Sequence, residues 1–491
     1  MPQNLHLYYR RNVNVHVKLF PGAESNSSTQ INTLAHPSPR YTMWTVKSES
    51  GRLHAVLIQD STEQLWTRRM PFAGMESSLH YVERDPHAQM NPGHEEWLQL
   101  PKILRDEGVQ VFEVKSMLAK ILEDATTAER EQIVEGIWEG IPEKPDPEKL
   151  TVDHLFWGHP PKPYYDQQRD RVVLPDFKRV AWIYTRDTSF TTQIGTVICN
   201  MRRYSRRHEP RVVKLCYEYD PVLSEKTEIV YDANETPDVF SEPPCVEGGD
   251  TQIIDEETIA IGVGQRSTVT GVVETAKRLF EAETDGDLKY ICAVNLADFP
   301  AVDYMHLDVT INYPDKGKAL VMPYVYDTEI LSDYPPKKLL LKTLEAIRRQ
   351  SEEHGRPMEP LIHPDHFRAL GRTGVYINDD GKPKLLGNEA SFLDFLLKEE
   401  KLDEAGLIYV GGVPEDPWDV EHMLDAMLEQ SRGASNIVTI KPGTVIAYDR
   451  NHATNEALRE HGVTVREWES GYLDLLGGPH CSTSPLWRDP A

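Results

Sequence analysis

A pattern of strand, loop and helix recurs from Arg179 onward and limits the fold more than any other feature of the sequence. Short apolar runs predict strands that start near Leu53 and then lie at 109–114, 180–184, 194–199, 212–217, 258–261, 290–294, 307–311, 320–324, 407–410, 437–440, 445–449 and 463–467. Amphipathic segments predict helices over about 93–108, 269–281, 336–353 and 416–430. Strands that alternate with helices in this way indicate an α/β protein.

Three further regions interrupt this pattern. Residues 1–47 are largely polar and predict a poorly ordered N-terminal arm, which leaves 48–491 for the folded domain. A helical insertion is predicted at about 116–165, where Thr126 and Glu129 have the spacing of a capping box. A second insertion is predicted at about 354–400, irregular except for a short helix near 390–399.

Charge and cysteine content exclude several classes of protein. The net charge of -25 argues against nucleic acid and anionic membranes as partners, because both require a basic face. The five cysteines are odd in number and contain no CxxC pair, so neither a disulfide framework nor a cysteine zinc site is expected. With no apolar run long enough to span a membrane and no apolar signal core, the sequence predicts a cytoplasmic protein.

One cysteine occupies an unusual position near the C-terminus. Gly477, Gly478 and Pro479 come just before Cys481, and glycines there allow a sharp turn and the close approach of a ligand. A thiol on such a turn serves as a nucleophile or a metal ligand. The structural alternative is a small buried hydrophobic residue, which is what most free cysteines are.

Acids and a histidine in three other stretches suggest a reaction for this thiol. Glu247 and Asp250 flank a Gly-Gly pair, Asp187 follows an apolar run, and His306 and Asp308 are two residues apart. Each stretch alone fits a plain turn or a strand end. Together with the thiol, these groups suit nucleophilic attack on a guanidinium. Carboxylates accept hydrogen bonds from its planar set of N–H donors, and a histidine can transfer a proton to the leaving nitrogen. Metal binding is the rival use, but the scattered spacing disfavours zinc, and neither a metal nor a cofactor is expected.

Seven stretches occur in the order found in arginine deiminases, and the chain resembles that family of guanidino-group-modifying enzymes. They are Tyr-Thr-Arg-Asp at 184–187, Arg-Arg-His-Glu at 206–209, Val-Glu-Gly-Gly-Asp at 246–250, Ile-Gly-Val-Gly-Gln-Arg-Ser at 261–267, Met-His-Leu-Asp at 305–308, Pro-Gly-Thr-Val-Ile-Ala-Tyr-Asp-Arg-Asn at 442–451 and Gly-Gly-Pro-His-Cys at 477–481.

The resemblance implies a five-bladed α/β propeller of the pentein type, with pseudo-fivefold symmetry, an inserted helical module and a site on the central axis. It also implies the roles of nine residues. These are Cys481 as nucleophile, Asp187 and Asp308 as the acids that hold the guanidinium, His306 and Glu247 as proton-transfer partners, Arg206 and Arg266 as the arginines that bind the carboxylate of the substrate, Asp250 as a residue that orders the site, and Tyr184 as a substrate-binding residue.

The implied function is a hydrolase that releases ammonia from a guanidino substrate through a covalent thiouronium on the cysteine, by default L-arginine to L-citrulline. Leu476 and Ala181 depart from the family pattern near the amino-acid head of the substrate, and Val309 replaces the family's threonine after Met-His-Leu-Asp, so a different anionic guanidino compound is an alternative. An amidinotransferase is another, since deiminases usually have arginine where this chain has His480. A degenerate, non-enzymatic relative is the third. The partners expected are a small guanidino substrate and other copies of the chain, in a dimer or tetramer.

Overall fold

The computed structural model describes residues 43–60, 92–161, 164–173, 182–236, 242–296, 304–326, 336–355, 367–389, 391–471 and 477–491. Most of the predicted N-terminal arm lies outside these residues, as do Ala181 and Leu476. The part of the arm that is described includes Trp44 and Val46, and both side chains are buried.

Nineteen strands are found in the described residues. They are β1 (Leu53–Ile58), β2 (Gln110–Glu113), β3 (Tyr164–Asp166), β4 (Arg171–Val173), β5 (Ser189–Thr191), β6 (Thr196–Ile198), β7 (Ile229–Asp232), β8 (Thr251–Asp255), β9 (Thr258–Val263), β10 (Tyr290–Asn295), β11 (Ile311–Asp315), β12 (Gly317–Val321), β13 (Thr373–Asp379), β14 (Lys382–Glu389), β15 (Leu402–Tyr409), β16 (Val438–Lys441), β17 (Thr444–Tyr448), β18 (Thr464–Trp468) and β19 (Ser484–Arg488).

Helices separate many of these strands, which makes the fold mixed α/β, as the sequence predicted. The α-helices are α1 (Pro92–Asp106), α2 (Val114–Asp124), α3 (Thr127–Ile137), α4 (Val152–Trp157), α5 (His208–Tyr219), α6 (Leu223–Lys226), α7 (Val269–Ala282), α8 (Pro336–Glu353), α9 (Phe392–Lys398), α10 (Val420–Ser431) and α11 (His452–Glu460). Among the described helices, none has the length and apolarity needed to cross a membrane.

The same local arrangement of three strands occurs five times in the described residues. A first strand pairs antiparallel with a second, and a third, which follows after a helix, pairs parallel with the second. The five modules are β5-β6-β7, β8-β9-β10, β11-β12-β15, β16-β17-β18 and β19-β1-β2. The amino-acid sequences of the five modules show no exact repeat.

The fifth module joins the two ends of the folded region. Strand β19, at the C-terminus, pairs antiparallel with β1, and β1 pairs parallel with β2. Arg488 at the end of β19 is fully buried and donates through Nη1 to the carbonyls of Glu49 and Gly51, at 2.6 and 3.1 Å. These bonds hold residues 49–51, just before β1, against the end of β19.

The predicted helical insertion contains α2, α3 and α4. Thr126 caps α3 as expected, because its side chain accepts from the backbone NH of Glu129 and the Glu129 carboxylate accepts from the backbone NH of Thr126. The apolar faces of these helices pack on α5, where Val212 and Cys216 are one turn apart and fully buried.

Four predictions of secondary structure are wrong. Residues 212–217 lie inside α5, since their apolar side chains sit one turn apart on a buried helical face. Residues 182–184, the described part of the strand predicted at 180–184, form a turn. In the strand predicted at 307–311, residues 307–309 form a 3-10 helix, and β11 begins only at Ile311.

The fourth error concerns the region at 354–400, which was predicted to be irregular except for a short helix near 390–399, and α9 confirms that helix. Strands β13 and β14 form an antiparallel hairpin there and extend the second module to a five-stranded sheet. Asp380 and Gly381 make its two-residue turn with φ of 56° and 78°, which is the backbone conformation that suits an Asp-Gly turn between strands.

Candidate active site

The candidate site is built from the segments that lead into the first strand of each module. Asp187 precedes β5, the pair Glu247 and Asp250 precedes β8, and the segment with His306 and Asp308 precedes β11. Asn436 precedes β16 and Cys481 precedes β19. Equivalent positions in five modules thus supply the polar groups, although they are far apart in the sequence.

The thiol of Cys481 lies between an amide and a carboxylate. Its Sγ donates to Oδ2 of Asp308 at 3.2 Å, and Nδ2 of Asn436 lies 3.2 Å from Sγ. Oδ1 of Asn436 accepts from the backbone NH groups of Gly478 and Cys481, at 2.7 and 3.0 Å. Asn436 therefore fixes the turn and contacts the sulfur at the same time.

The surroundings of Cys481 favour its protonated form. Burial raises the pKa of the thiol well above its ordinary value, and the negative charges of Asp308 and Asp187 raise it further. The contact with Asn436 acts in the opposite direction. A positive charge placed between the two aspartates would oppose the largest electrostatic contributions and would favour the thiolate.

His306 lies between two carboxylates. Its Nε2 is 3.0 Å from Oε2 of Glu247, and its Nδ1 is 3.7 Å from Oδ1 of Asp187. Burial alone would lower the pKa of this imidazole, but Asp187, Asp250 and Glu247 raise it to about 9. His306 therefore carries a proton at neutral pH and is able to donate it.

Glu247 is the ionised partner of this histidine. Burial would raise its pKa, but Arg266 and His306 lower it to about 2. Its Oε1 also accepts from the backbone NH of Arg202 at 3.0 Å. The carboxylate holds the imidazole in place and stabilises its charged form.

Both acids predicted to hold a guanidinium have one oxygen without a hydrogen-bond partner. Oδ1 of Asp187 and Oδ1 of Asp308 are buried and unpaired. The other oxygens are occupied, since Oδ2 of Asp187 accepts from Arg206 and Oδ2 of Asp308 accepts from Cys481 and His480. A buried acceptor without a donor costs free energy, so these two atoms are available to a ligand with several N–H groups.

Steric contacts require glycine at both positions of the Gly-Gly pair between Glu247 and Asp250. A Cβ on Gly248 would lie 2.0 Å from the carbonyl oxygen of Arg186. A Cβ on Gly249 would lie 2.6 Å from Oδ1 of Asp187 and 2.7 Å from Nδ1 of His306. Only glycine lets this backbone approach both side chains, which explains a motif that could otherwise be a plain turn.

The two arginines predicted to bind the anionic end of the substrate differ in their contacts. Arg206 donates to Asp187 at 2.7 Å and, through Nε and Nη2, to Glu209 at 3.0 and 2.8 Å. Arg266 donates to Glu247 at 3.4 Å and to the sulfur of Met305 at 2.7 Å, and its Nε has no hydrogen-bond partner.

Asp250 and Tyr184 hold the segments together. Asp250 accepts from the NH and hydroxyl of Ser267 at 3.0 and 2.6 Å and from the NH of Leu307 at 3.2 Å. Burial raises the pKa of Asp250 to about 7. The carbonyl of Tyr184 accepts from Arg206, and the guanidinium carbon of Arg206 lies 6.0 Å from the centre of the tyrosine ring.

Asp187, Glu247 and His306 are also close enough to share a metal ion, with ligand atoms within 4.8 Å of one another. Their oxygens and nitrogens already bond to each other and to Arg206 and Arg266. A metal ion at this position would have to displace the guanidinium groups of Arg206 and Arg266 from Asp187 and Glu247.

Sequence reasoning gave no role to several residues of this site. Asn436 lay in no recognised stretch, and its contacts depend on how two modules meet. Three of them, Arg186, Glu209 and His480, lie inside the stretches shared with arginine deiminases, and that position was the only sign in the sequence that they belong to the site. Glu49 lies next to the predicted arm, yet its carboxylate is buried at 3.3 Å from Nη1 of Arg186.

Comparisons with known proteins identify the family of this chain. The family model described as arginine deiminase matches residues 167–350 and 418–488, which together are more than half of the chain. The chain belongs to the arginine deiminase family. It is therefore a hydrolase that acts on a guanidino C–N bond.

Individual arginine deiminases are related to it at modest identity. The arginine deiminase of Metamycoplasma hominis is 25% identical over 459 residues, which cover 90% of this chain and 96% of that protein. The arginine deiminase of Bacillus cytotoxicus is 27% identical over 309 residues, which cover 62% of this chain and 61% of that protein.

Two solved structures illustrate the structural similarities of this family member. SxtG, an amidinotransferase from Microseira wollei, is 12% identical with a TM-score of 0.48, and the match covers 91% of this chain and 98% of that one. ArgZ, an arginine dihydrolase from cyanobacteria, is 13% identical with a TM-score of 0.43, and the match covers 89% and 40%.

Proposed function

We propose that the protein removes ammonia from a guanidino compound through a covalent adduct on Cys481. One observation carries the proposal: two buried acids, one of them in contact with the thiol, each have an oxygen without a hydrogen-bond partner. A guanidinium offers several N–H donors in one plane, so it satisfies both oxygens and places its carbon near the sulfur.

The first half of the reaction forms the adduct. The guanidinium charge between Asp187 and Asp308 opposes the raised pKa of Cys481, so the thiol releases its proton to solvent and the resulting thiolate attacks the guanidino carbon. A C–S bond forms. The C–N bond then breaks as His306 gives its proton to the departing nitrogen, which leaves as ammonia. The product on the enzyme is an S-alkylthiouronium.

The second half releases the product. His306, now neutral and held by Glu247 at 3.0 Å, accepts a proton from water as the water oxygen attacks the same carbon. The C–O bond forms and the C–S bond breaks, and the second proton of the water passes to the departing sulfur, so that Cys481 returns as a thiol. The product is a ureido compound, which is L-citrulline if the substrate is L-arginine.

The five modules also support a finer proposal about the fold. Because the polar segments occupy the same position in each module, we infer that the modules are arranged as five blades around a pseudo-fivefold axis. The site would then lie on that axis. This arrangement explains how groups from all parts of the chain reach one thiol.

The substrate retains an anionic group in our proposal, and Arg266 receives it. Arg206 is occupied by Asp187 and Glu209, whereas Nε of Arg266 is buried without a partner. With Leu476 and Ala181 in place of polar head-group residues, we expect another anionic guanidine to be a better substrate than L-arginine.

A panel of guanidines tests this function. The protein is incubated with L-arginine, agmatine and guanidino acids of several chain lengths, and both ammonia and ureido product are measured. Equal amounts of the two products support the hydrolase. An amidinotransferase would give neither without an acceptor amine and a new guanidine after one is added. A protein without catalytic activity would give nothing in either case.

A further inference from the structure

A group of buried polar side chains, His480, Arg186 and Glu49, adjoins Asp308 and takes no part in the mechanism above. His480 is its centre. Its Nδ1 is 2.9 Å from Oδ2 of Asp308, while its Nε2 is 2.9 Å from Nη2 of Arg186 and 3.4 Å from Oε2 of Glu49. All four side chains are buried.

These contacts determine where the proton of the imidazole lies. A guanidinium has donors only, so Nε2 of His480 must accept in its bond with Arg186. The proton is then on Nδ1, which donates to Oδ2 of Asp308. Glu49 holds Arg186 in place through Oε1, 3.3 Å from Nη1.

The bond from His480 also decides which oxygen of Asp308 remains free. Oδ2 accepts two donors, Nδ1 of His480 and Sγ of Cys481, while Oδ1 accepts none. Asn436 donates to the backbone carbonyl of Asp308 at 3.0 Å and so fixes the main chain but leaves the carboxylate to His480.

We propose that His480 is a positioning residue that orients the Asp308 carboxylate toward the guanidinium, with Oδ2 held on the enzyme and Oδ1 left for the substrate. The proposal rests on the proposed function, because it assigns the free oxygen to a guanidino substrate. His480 acts only through Asp308.

Electrostatics support this assignment. Burial would raise the pKa of Asp308, but the hydrogen bond from His480 lowers it. His306 and the thiol of Cys481 lower it too, whereas Asp308 and Asp250 repel each other. On the other side, His480 faces Arg186 and Glu49. Loss of the Nδ1 donor therefore favours protonation of Asp308.

Two amide substitutions separate the two sides of His480. In His480→Asn the amide nitrogen takes roughly the place of Nδ1 and still donates to Asp308. In His480→Gln the amide reaches the place of Nε2, so its oxygen still accepts from Arg186 while the donor to Asp308 is lost. Both variants remain polar, and circular dichroism and thermal melting establish that each is folded.

We expect kcat/KM of His480→Gln to fall by about 10- to 100-fold, the usual effect of losing a charge-assisted hydrogen bond, and to fall far less in His480→Asn. The acid limb of the pH profile should move to higher pH in His480→Gln only. The matched controls are His422→Asn and His422→Gln, at a half-buried histidine on α10, where neither change should matter.

A second measurement does not depend on turnover. Guanidinium chloride should protect Cys481 from alkylation by iodoacetamide, and mass spectrometry of the peptide that contains Cys481 measures this alkylation. The guanidinium concentration needed for protection should be at least about 10-fold higher in His480→Gln than in His480→Asn. If guanidinium protects the wild-type protein but no guanidine is turned over, the proposed hydrolase activity is refuted and the positioning role of His480 is not. If His480→Gln matches or exceeds His480→Asn in both measurements, His480 serves Arg186 and Glu49, and the positioning role is refuted.

Discussion

Replacing Gly249 by alanine adds one methyl group beside the two side chains that we propose hold and protonate the substrate. The new Cβ would lie 2.6 Å from Oδ1 of Asp187 and 2.7 Å from Nδ1 of His306. Since carbon contacts are most favourable at about 3.5–4.0 Å, these atoms must move by about 1 Å. A displacement of about 1 Å at reacting groups costs about 100-fold in rate, or roughly 2.7 kcal/mol of transition-state stabilisation.

The assay is steady-state release of ammonia, with thermal melting as the measure of folding. We expect Gly249→Ala to lose about 100-fold in kcat/KM and to remain folded, because the methyl meets side chains and no backbone atom is among its nearest contacts. Gly136→Ala is the matched control. Nothing lies within 4 Å of that Cβ, and alanine favours helix α3 by up to about 1 kcal/mol. If Gly249→Ala keeps more than about a third of its kcat/KM, the positions of Asp187 and His306 do not control the reaction.

We expect four further outcomes for the proposed reaction and its substrate. Cys481→Ser should abolish turnover in a folded protein, since a hydroxyl has a far higher pKa than a thiol, and near-normal ammonia release would rule out the covalent adduct. Asp187→Asn and Asp308→Asn should each lower kcat/KM by about 100-fold or more, because a guanidinium donor loses its charged acceptor, and an acid whose loss costs less than about 10-fold is structural. Activity should fall as the pH rises through about 9, where His306 loses the proton that it gives to the leaving nitrogen, and a pH profile that stays flat above 9 would contradict this role. L-arginine should have a lower kcat/KM than at least one other anionic guanidine, and a preference for L-arginine of about 100-fold or more would exclude altered specificity.

Local patterns in the sequence determined the elements whose signals are themselves local. Helix α8 runs over Pro336–Glu353, where the spacing of apolar residues predicted it, and the capping box at Thr126 and Glu129 forms as expected. The strand predicted at 212–217 is wrong because the local signal there is ambiguous: a short apolar run fits a buried helix as well as a strand.

For the site, the sequence supplied the chemistry of the side chains. The thiol, the histidine and the acids were found because each lies in a short stretch whose residue types suit one reaction. The glycines of the Gly-Gly pair were part of such a stretch. The physical need for them, close contact with Arg186, Asp187 and His306, depends on residues that are 57 to 62 positions away in the sequence and is seen only in the fold.

The partners of these side chains were decided by the tertiary structure. Asn436 contacts the sulfur of Cys481 because two modules bring their leading segments together, and no local pattern marks it. His480 is next to the nucleophile in sequence, yet its bonds to Asp308 and Arg186 depend on how the first, third and fifth modules meet. Sequence fixes which groups a segment carries, whereas pKa values and free lone pairs depend on distances between segments, which only the packed modules define.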